Sequence, residues 1–268
     1  KEAGKPAAQP FTEGPGCRTA DGFADGALEG PPCAAATEDL FVPVVIYNNT
    51  SGDRDAATRA AFGEPSWNNP VVRIMDAQGQ TLAPRYASQW TGSSYGSLLV
   101  TALKAAGKPV PAYLSDHVAQ LSASRDTAVF SMYCFWSGEV GLAGLPGVLE
   151  TRPGFLAGRE VVEVTFDRRK TSLSQLAKRA SMSGVASGFV ARDAAQATAV
   201  RGQIGGVVID PGAVRHSDKD DKYQLKGHSW STDGLEPAQA TALNRAVVTA
   251  GEDPRQVLSP RQWARIAP

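Results

Sequence analysis

One stretch limits what this chain can become: Thr127 to Asp167, TAVFSMYCFWSGEVGLAGLPGVLETRPGFLAGREVVEVTFD. Thr127 to Met132 is rich in β-branched and apolar residues and reads as a buried strand. Ser137 to Leu145 can start a helix, and a Gly-punctuated region then leads into a second strand-like run. Cys134, in the string Cys134-Phe135-Trp136, would sit at a strand-to-helix junction. Unpaired N–H groups and the positive end of the helix dipole stabilise a thiolate at such a place. Phe135 and Trp136 cannot both enter the strand core, so one of them should wall the thiol. The same spacing equally allows Cys134 to be a small buried hydrophobe beside two core aromatics.

The length of 268 residues allows one large domain or two ordinary ones. With 27 basic and 27 acidic residues the net charge is zero, which points to neither nucleic acid nor an anionic membrane. No apolar run approaches the roughly 18 residues a membrane span needs. The opening KEAGKPAAQP has no initiator Met and no apolar core of a leader. It reads either as the start of a processed chain of a periplasmic or secreted protein or as a trimmed boundary.

In an exported protein Cys17 and Cys33 could form a local disulfide, worth roughly 3 kcal/mol by loop closure, in a Gly/Ala/Pro-rich segment with little apolar mass. Cys134 is then the odd cysteine and a candidate reactive thiol. Three cysteines and His117, His216 and His228 show no metal-ligand spacing, and no cofactor is expected.

In order, residues 1–37 read as an irregular arm. Leu40 to Tyr47 is a strand, Arg54 to Phe62 a short helix, Val71 to Met75 a second strand led by Pro70, and Thr81 to Tyr86 its antiparallel partner. Ser97 to Ala106 is a helix stopped by Gly107. Residues 116–126 read as a polar connector or short helix at a domain boundary. Thr171 to Ala180 is a helix with Ser172 and Gln175 in capping-box spacing. Gly205 to Ile209 is a short strand, and the charge run His216 to Lys222 reads as a solvated turn. Glu236 to Ala250 is a helix with Pro237 in its first turn. Glu139 reads as a surface or structural carboxylate, and His216 and His228 as surface residues.

Residues 38–120 resemble a thioredoxin-like domain, with Pro70 in Asn69-Pro70-Val71 at the place of that family's Pro. The family's Cys-x-x-Cys follows the first strand. Where Leu40 to Tyr47 is taken as that strand, the place holds Thr50-Ser51-Gly52-Asp53, so the resemblance implies a scaffold without dithiol chemistry.

Residues 125–268 are similar to the A-type peptide methionine sulfoxide reductases. Tyr133-Cys134-Phe135-Trp136-Ser137-Gly138-Glu139, Leu145-Pro146-Gly147-Val148 and the strand Arg159 to Asp167 carry the likeness, with looser matches at Asp218, Tyr223 and Glu236-Pro237-Ala238-Gln239. The resemblance implies an α+β fold behind the α/β first domain. It implies thiol-dependent reduction of free or peptide methionine sulfoxide through a Cys134 sulfenic acid.

In that scheme Cys134 attacks, Glu160 is the acid kept protonated by apolar surroundings, and Phe135 and Trp136 hold the S-methyl group. Tyr223, with Asp218, bonds the oxygen. Glu163 lies an odd number of positions from Glu160, so only one of the two faces the thiol. The chain departs from the family pattern at Tyr133, Ser137 and Phe155, in a shortened loop before Arg159, and in having no cysteine after Cys134. An external thiol, or Cys17 and Cys33, must then regenerate the site. The alternative is a secreted protein that keeps the fold and aromatic pocket for binding without turnover.

Overall fold

A computed structural model describes residues 4–12, 17–28, 31–48, 50–67, 70–228 and 230–266, and it puts regular structure where an arm was expected. The chain divides into two compact units, residues 1–121 with 258–263 and residues 122–257 with 264–268.

In the first unit, β1 (Ala7–Thr12) is the middle of a sheet rather than part of an arm. It runs parallel to β2 (Val42–Pro43) and β3 (Ile46–Tyr47) on one side and antiparallel to β4 (Val71–Met75) on the other. β5 (Tyr86–Ala87) pairs antiparallel with β4 beyond, and Thr81, bridged to Met75, and Leu82, whose amide donates to the Ile74 carbonyl, begin the same pairing within the partner expected at Thr81 to Tyr86. Helices α1 (Arg18–Ala27), α2 (Pro31–Leu40), α3 (Arg54–Ala61), α4 (Gly92–Ala105) and α5 (Ala112–Leu121) complete the unit.

Two glycines of this unit permit close approach, Gly26 on α1 and Gly96 on α4. A Cβ on Gly26 would stand 2.3 Å from the Trp90 carbonyl oxygen, and one on Gly96 would stand 2.5 Å from Val118 Cγ2. Ala27, Cys33, Ala36 and Leu99 are fully buried in this core. Of the stretch expected as a connector or short helix, residues 116–121 lie in α5, and the C-terminal residues 258–263 belong to this unit, where Arg261 pairs with Glu38 and Asp39. Asn69, before Pro70, lies outside the described residues.

The expected Cys17–Cys33 disulfide is absent: neither residue is bonded to another cysteine. Helix α2 turns Cys33 into the core, where its sulfur lies 3.7 Å from the Gly92 carbonyl oxygen, while Cys17 caps the start of α1 and contacts the Thr19 hydroxyl at 3.0 Å. Burial between α2 and α4, rather than a cross-link, holds this segment.

The second unit is built on a six-stranded sheet, ordered β10-β9-β6-β8-β7-β11. Its strands are β6 (Arg125–Ser131), β7 (Val148–Leu156), β8 (Arg159–Asp167), β9 (Gly188–Ala191), β10 (Val207–Ile209) and β11 (Arg215–His216). Period-two alternation separates its faces. Phe130, Val162, Val164, Phe166 and Phe189 point to one face, and Val129, Val161 and Val190 to the other. The first face packs under α6 (Phe135–Ala143) and α7 (Leu173–Met182), while α8 (Ala194–Ala199), α9 (Tyr223–Gly227) and α10 (Pro237–Ala246) follow; α11 (Pro260–Ile266) is divided between the units, its first four residues in the first. Ser172 and Gln175 form the capping box of α7.

At the end of β8, Asp167 accepts hydrogen bonds from the Ser124 and Arg169 amides and from the Arg169 guanidinium. The guanidinium above all holds its carboxyl down at about 2. A carboxyl depressed on folding contributes stability above its unfolded value of about 4, and that contribution is lost as pH falls through the folded value. Asp167→Asn should therefore flatten the acid limb of the stability curve below pH about 4, read as urea midpoints against pH. An acid limb of wild-type steepness in the variant would remove Asp167 from this role.

Among the described residues no helix is long and apolar enough to cross a membrane, and no group of three or more His, Cys, Asp or Glu side chains is arranged to hold a metal ion.

Candidate active site

β6 ends at Ser131, and the Met132 amide donates to the Glu160 carbonyl, so the chain is still bonded to β8 two residues before Cys134. Cys134 is then the N-cap residue of α6, with extended backbone and no side-chain capping bond. It is exposed, so it is not the buried core thiol that the spacing also allowed. The helix starts two residues before the expected Ser137, which is why Phe135 and Trp136 lie in its first turn. Phe135 is buried and packs edge-on against Phe155 at 5.3 Å between ring centroids.

One of the orphan first-turn amides of α6, that of Phe135, donates to Glu160 Oε2 at 2.9 Å. This brings the Glu160 carboxyl beside the residue that follows the thiol. Glu160 is half-buried rather than enclosed in apolar side chains. Glu163 faces away from α6, bonding His216 Nε2 at 2.9 Å and Arg192 at 3.3 Å. His216 is thus a half-buried partner of a carboxylate, not a surface residue.

Trp136 meets the loop before α9. Its indole stacks on Tyr223, with centroids 4.0 Å apart and planes 9° apart. Its Nε1–H donates to Asp220 Oδ1 at 3.2 Å, and the Ser217 hydroxyl donates to Asp220 Oδ2 at 2.5 Å. The Ser217 hydroxyl, followed by the Trp136 N–H, holds the Asp220 carboxyl below its ordinary range. The aspartate that bonds Trp136 is therefore Asp220. Asp218 is 88% exposed and pairs with Arg152 at 3.1 Å. The charge run holds several aspartates, and only the indole N–H, which needs an acceptor, could have selected among them.

The same run is not a solvated turn throughout. Lys222 is buried, and its ammonium donates to Glu139 Oε1 at 2.8 Å, the Thr151 carbonyl at 2.6 Å and Asp221 at 2.6 Å. Glu139 is fully buried on α6, and it also accepts from the Lys222 amide at 3.1 Å and the Thr151 hydroxyl at 3.2 Å. Burial pushes the Glu139 carboxyl up, against the pull of the Lys222 charge and hydrogen bond. A cavity of about 410 Å³ adjoins this pair, lined by Thr151, Arg152, Glu163, Lys222, Leu235 and Pro237. Cys134 does not line it, and the thiol stands instead at an open surface.

In the first unit, β1 precedes α1, whose N-cap residue is Cys17, while Thr50 to Asp53 lie between β3 and α3, with Asp53 as the N-cap of α3.

No family model matches the chain, and neither does any curated protein. Among solved structures, a DsbH oxidoreductase is similar at 20% identity and a TM-score of 0.32, over 37% of this chain and 73% of that one.

Proposed function

We propose that the second unit is a thiol-dependent reductase of methionine sulfoxide, with Cys134 as the nucleophile. The observation that carries this reading is the hydrogen bond from the Phe135 amide to Glu160. It holds a carboxyl at the first turn of the helix whose N-cap is the exposed Cys134, and Trp136, stacked on Tyr223, lies in the same turn. A sulfoxide needs these three things: a sulfur nucleophile, a proton for its oxygen, and an apolar wall for its methyl group. Cys134 attacks the sulfoxide sulfur while Glu160 protonates the oxygen. The oxygen passes to Cys134, giving Cys–SOH and the thioether, so the substrate sulfur gains the two electrons that the cysteine sulfur loses. Two equivalents of an external thiol return Cys–SOH to the thiol with release of water and a disulfide.

The order of the first sheet, with β1 between a parallel and an antiparallel neighbour, supports reading that unit as thioredoxin-like. The deciding assay follows loss of methionine sulfoxide with dithiothreitol as the only reductant, with peptide and free substrates in parallel. Turnover above the protein-free blank is expected. A blank-level rate with both substrates, from a protein whose Cys134 still alkylates, would leave a binding protein in place of an enzyme.

A further inference from the structure

The wall of this site is assembled from two pieces of chain that meet at a buried ion pair. Trp136 and Glu139 lie one turn apart on α6, so they share a face. Trp136 grips the loop at Asp220 and Tyr223, and Glu139 grips it at the amide and ammonium of Lys222. Lys222 itself stands in the left-handed region, at φ 51° and ψ 46°, where a non-glycine residue is strained. All three ammonium hydrogens have acceptors, and the side chain is 5% exposed. A buried pair is an inefficient way to hold a core, because apolar residues of the same volume do it as well. Strain and buried charge together, immediately before an aromatic residue of the site, mark a backbone that is being held in place.

We propose that the Glu139–Lys222 pair is a positioning device. It fixes the left-handed turn at Lys222 so that Tyr223 closes flat on Trp136 and forms the wall that captures the methyl sulfoxide group. The pair touches neither the thiol nor Glu160 and so sets substrate capture rather than chemistry. The role in capture rests on the reductase reading, while the role in holding the stack does not.

The test uses Lys222→Met and the double variant Glu139→Leu/Lys222→Met in the full chain carrying 5-fluorotryptophan. The Trp136 fluorine resonance is identified by its loss in Trp136→Phe. The double variant buries no lone charge and keeps the apolar volume, so it is the one required to fold. In both variants the Trp136 resonance should shift towards the value of a solvent-exposed indole. KM for methionine sulfoxide should rise about tenfold, the worth of one aromatic contact, with kcat within about twofold. The rate of Cys134 alkylation should not change.

A folded double variant with an unmoved Trp136 resonance overturns the proposal. So does a double variant that does not fold, since the pair would then be holding the unit and not the wall. If the wild type shows no turnover, the reductase reading fails, and the fluorine resonance still decides whether the pair positions Tyr223.

Discussion

Cys134→Ser is expected to lower dithiothreitol-driven reduction of methionine sulfoxide by about 10³-fold or more, to the rate of the blank. An alcohol is not ionised at neutral pH, and its oxygen cannot accept the sulfoxide oxygen and release it to a thiol. The variant also separates loss of chemistry from loss of fold. Cys134 is the N-cap of α6 and makes no capping bond, whereas a serine hydroxyl there can accept an orphan first-turn amide. Such a cap is worth about 0.5–2 kcal/mol, so the inactive variant should be as stable as wild type or more so. Oxidant followed by a sulfenic-acid trap should label wild-type Cys134 and leave the serine variant unlabelled at that position. Turnover in Cys134→Ser equal to wild type would end the proposal that this thiol is the nucleophile.

What was legible in the chain follows from how local each signal is. The strand running into Cys134 and the strand after Gly158 announce themselves through alternation of Val, Phe and Thr. The caps at Ser172 and Pro237 depend only on neighbours a few residues away. β1 was illegible for the opposite reason. AAQPFT has two alanines and a proline, and it is a central strand only because β2, β3 and β4 supply its hydrogen bonds.

Lys222 shows the same limit at the site. In HSDKDDKY nothing local distinguishes it from Lys219, and its burial is decided by Glu139, 83 residues away in sequence. Asp220 was unreadable for the same reason, since the indole that needs it lies 84 residues upstream. Motif residues placed by their own neighbours were readable, and those recruited across the fold to support them were not.

Glu160→Gln is the complementary test, because it removes the proposed proton donor and leaves the geometry. The glutamine amide oxygen can still accept the Phe135 amide hydrogen that Glu160 Oε2 accepts at 2.9 Å, so the first turn of α6 keeps its partner. The amide nitrogen cannot deliver a proton to the sulfoxide oxygen. A positioned acid contributes about 10²–10⁴-fold, and that range is the loss expected in kcat. KM should change little, since the Trp136–Tyr223 stack proposed as the methyl-binding wall is untouched. Alkylation of Cys134 by iodoacetamide should stay within about threefold of wild type, because that reaction needs no proton donor. Glu163→Gln is the matched control. Its carboxylate bonds His216 and Arg192 on the opposite face of the sheet, and its loss should leave kcat unaltered. Equal losses from Glu160→Gln and Glu163→Gln would show that a general change in charge or stability is being read. A loss in Glu160→Gln alone, with the thiol still reactive, ties the proton to the carboxyl that the first turn of α6 holds.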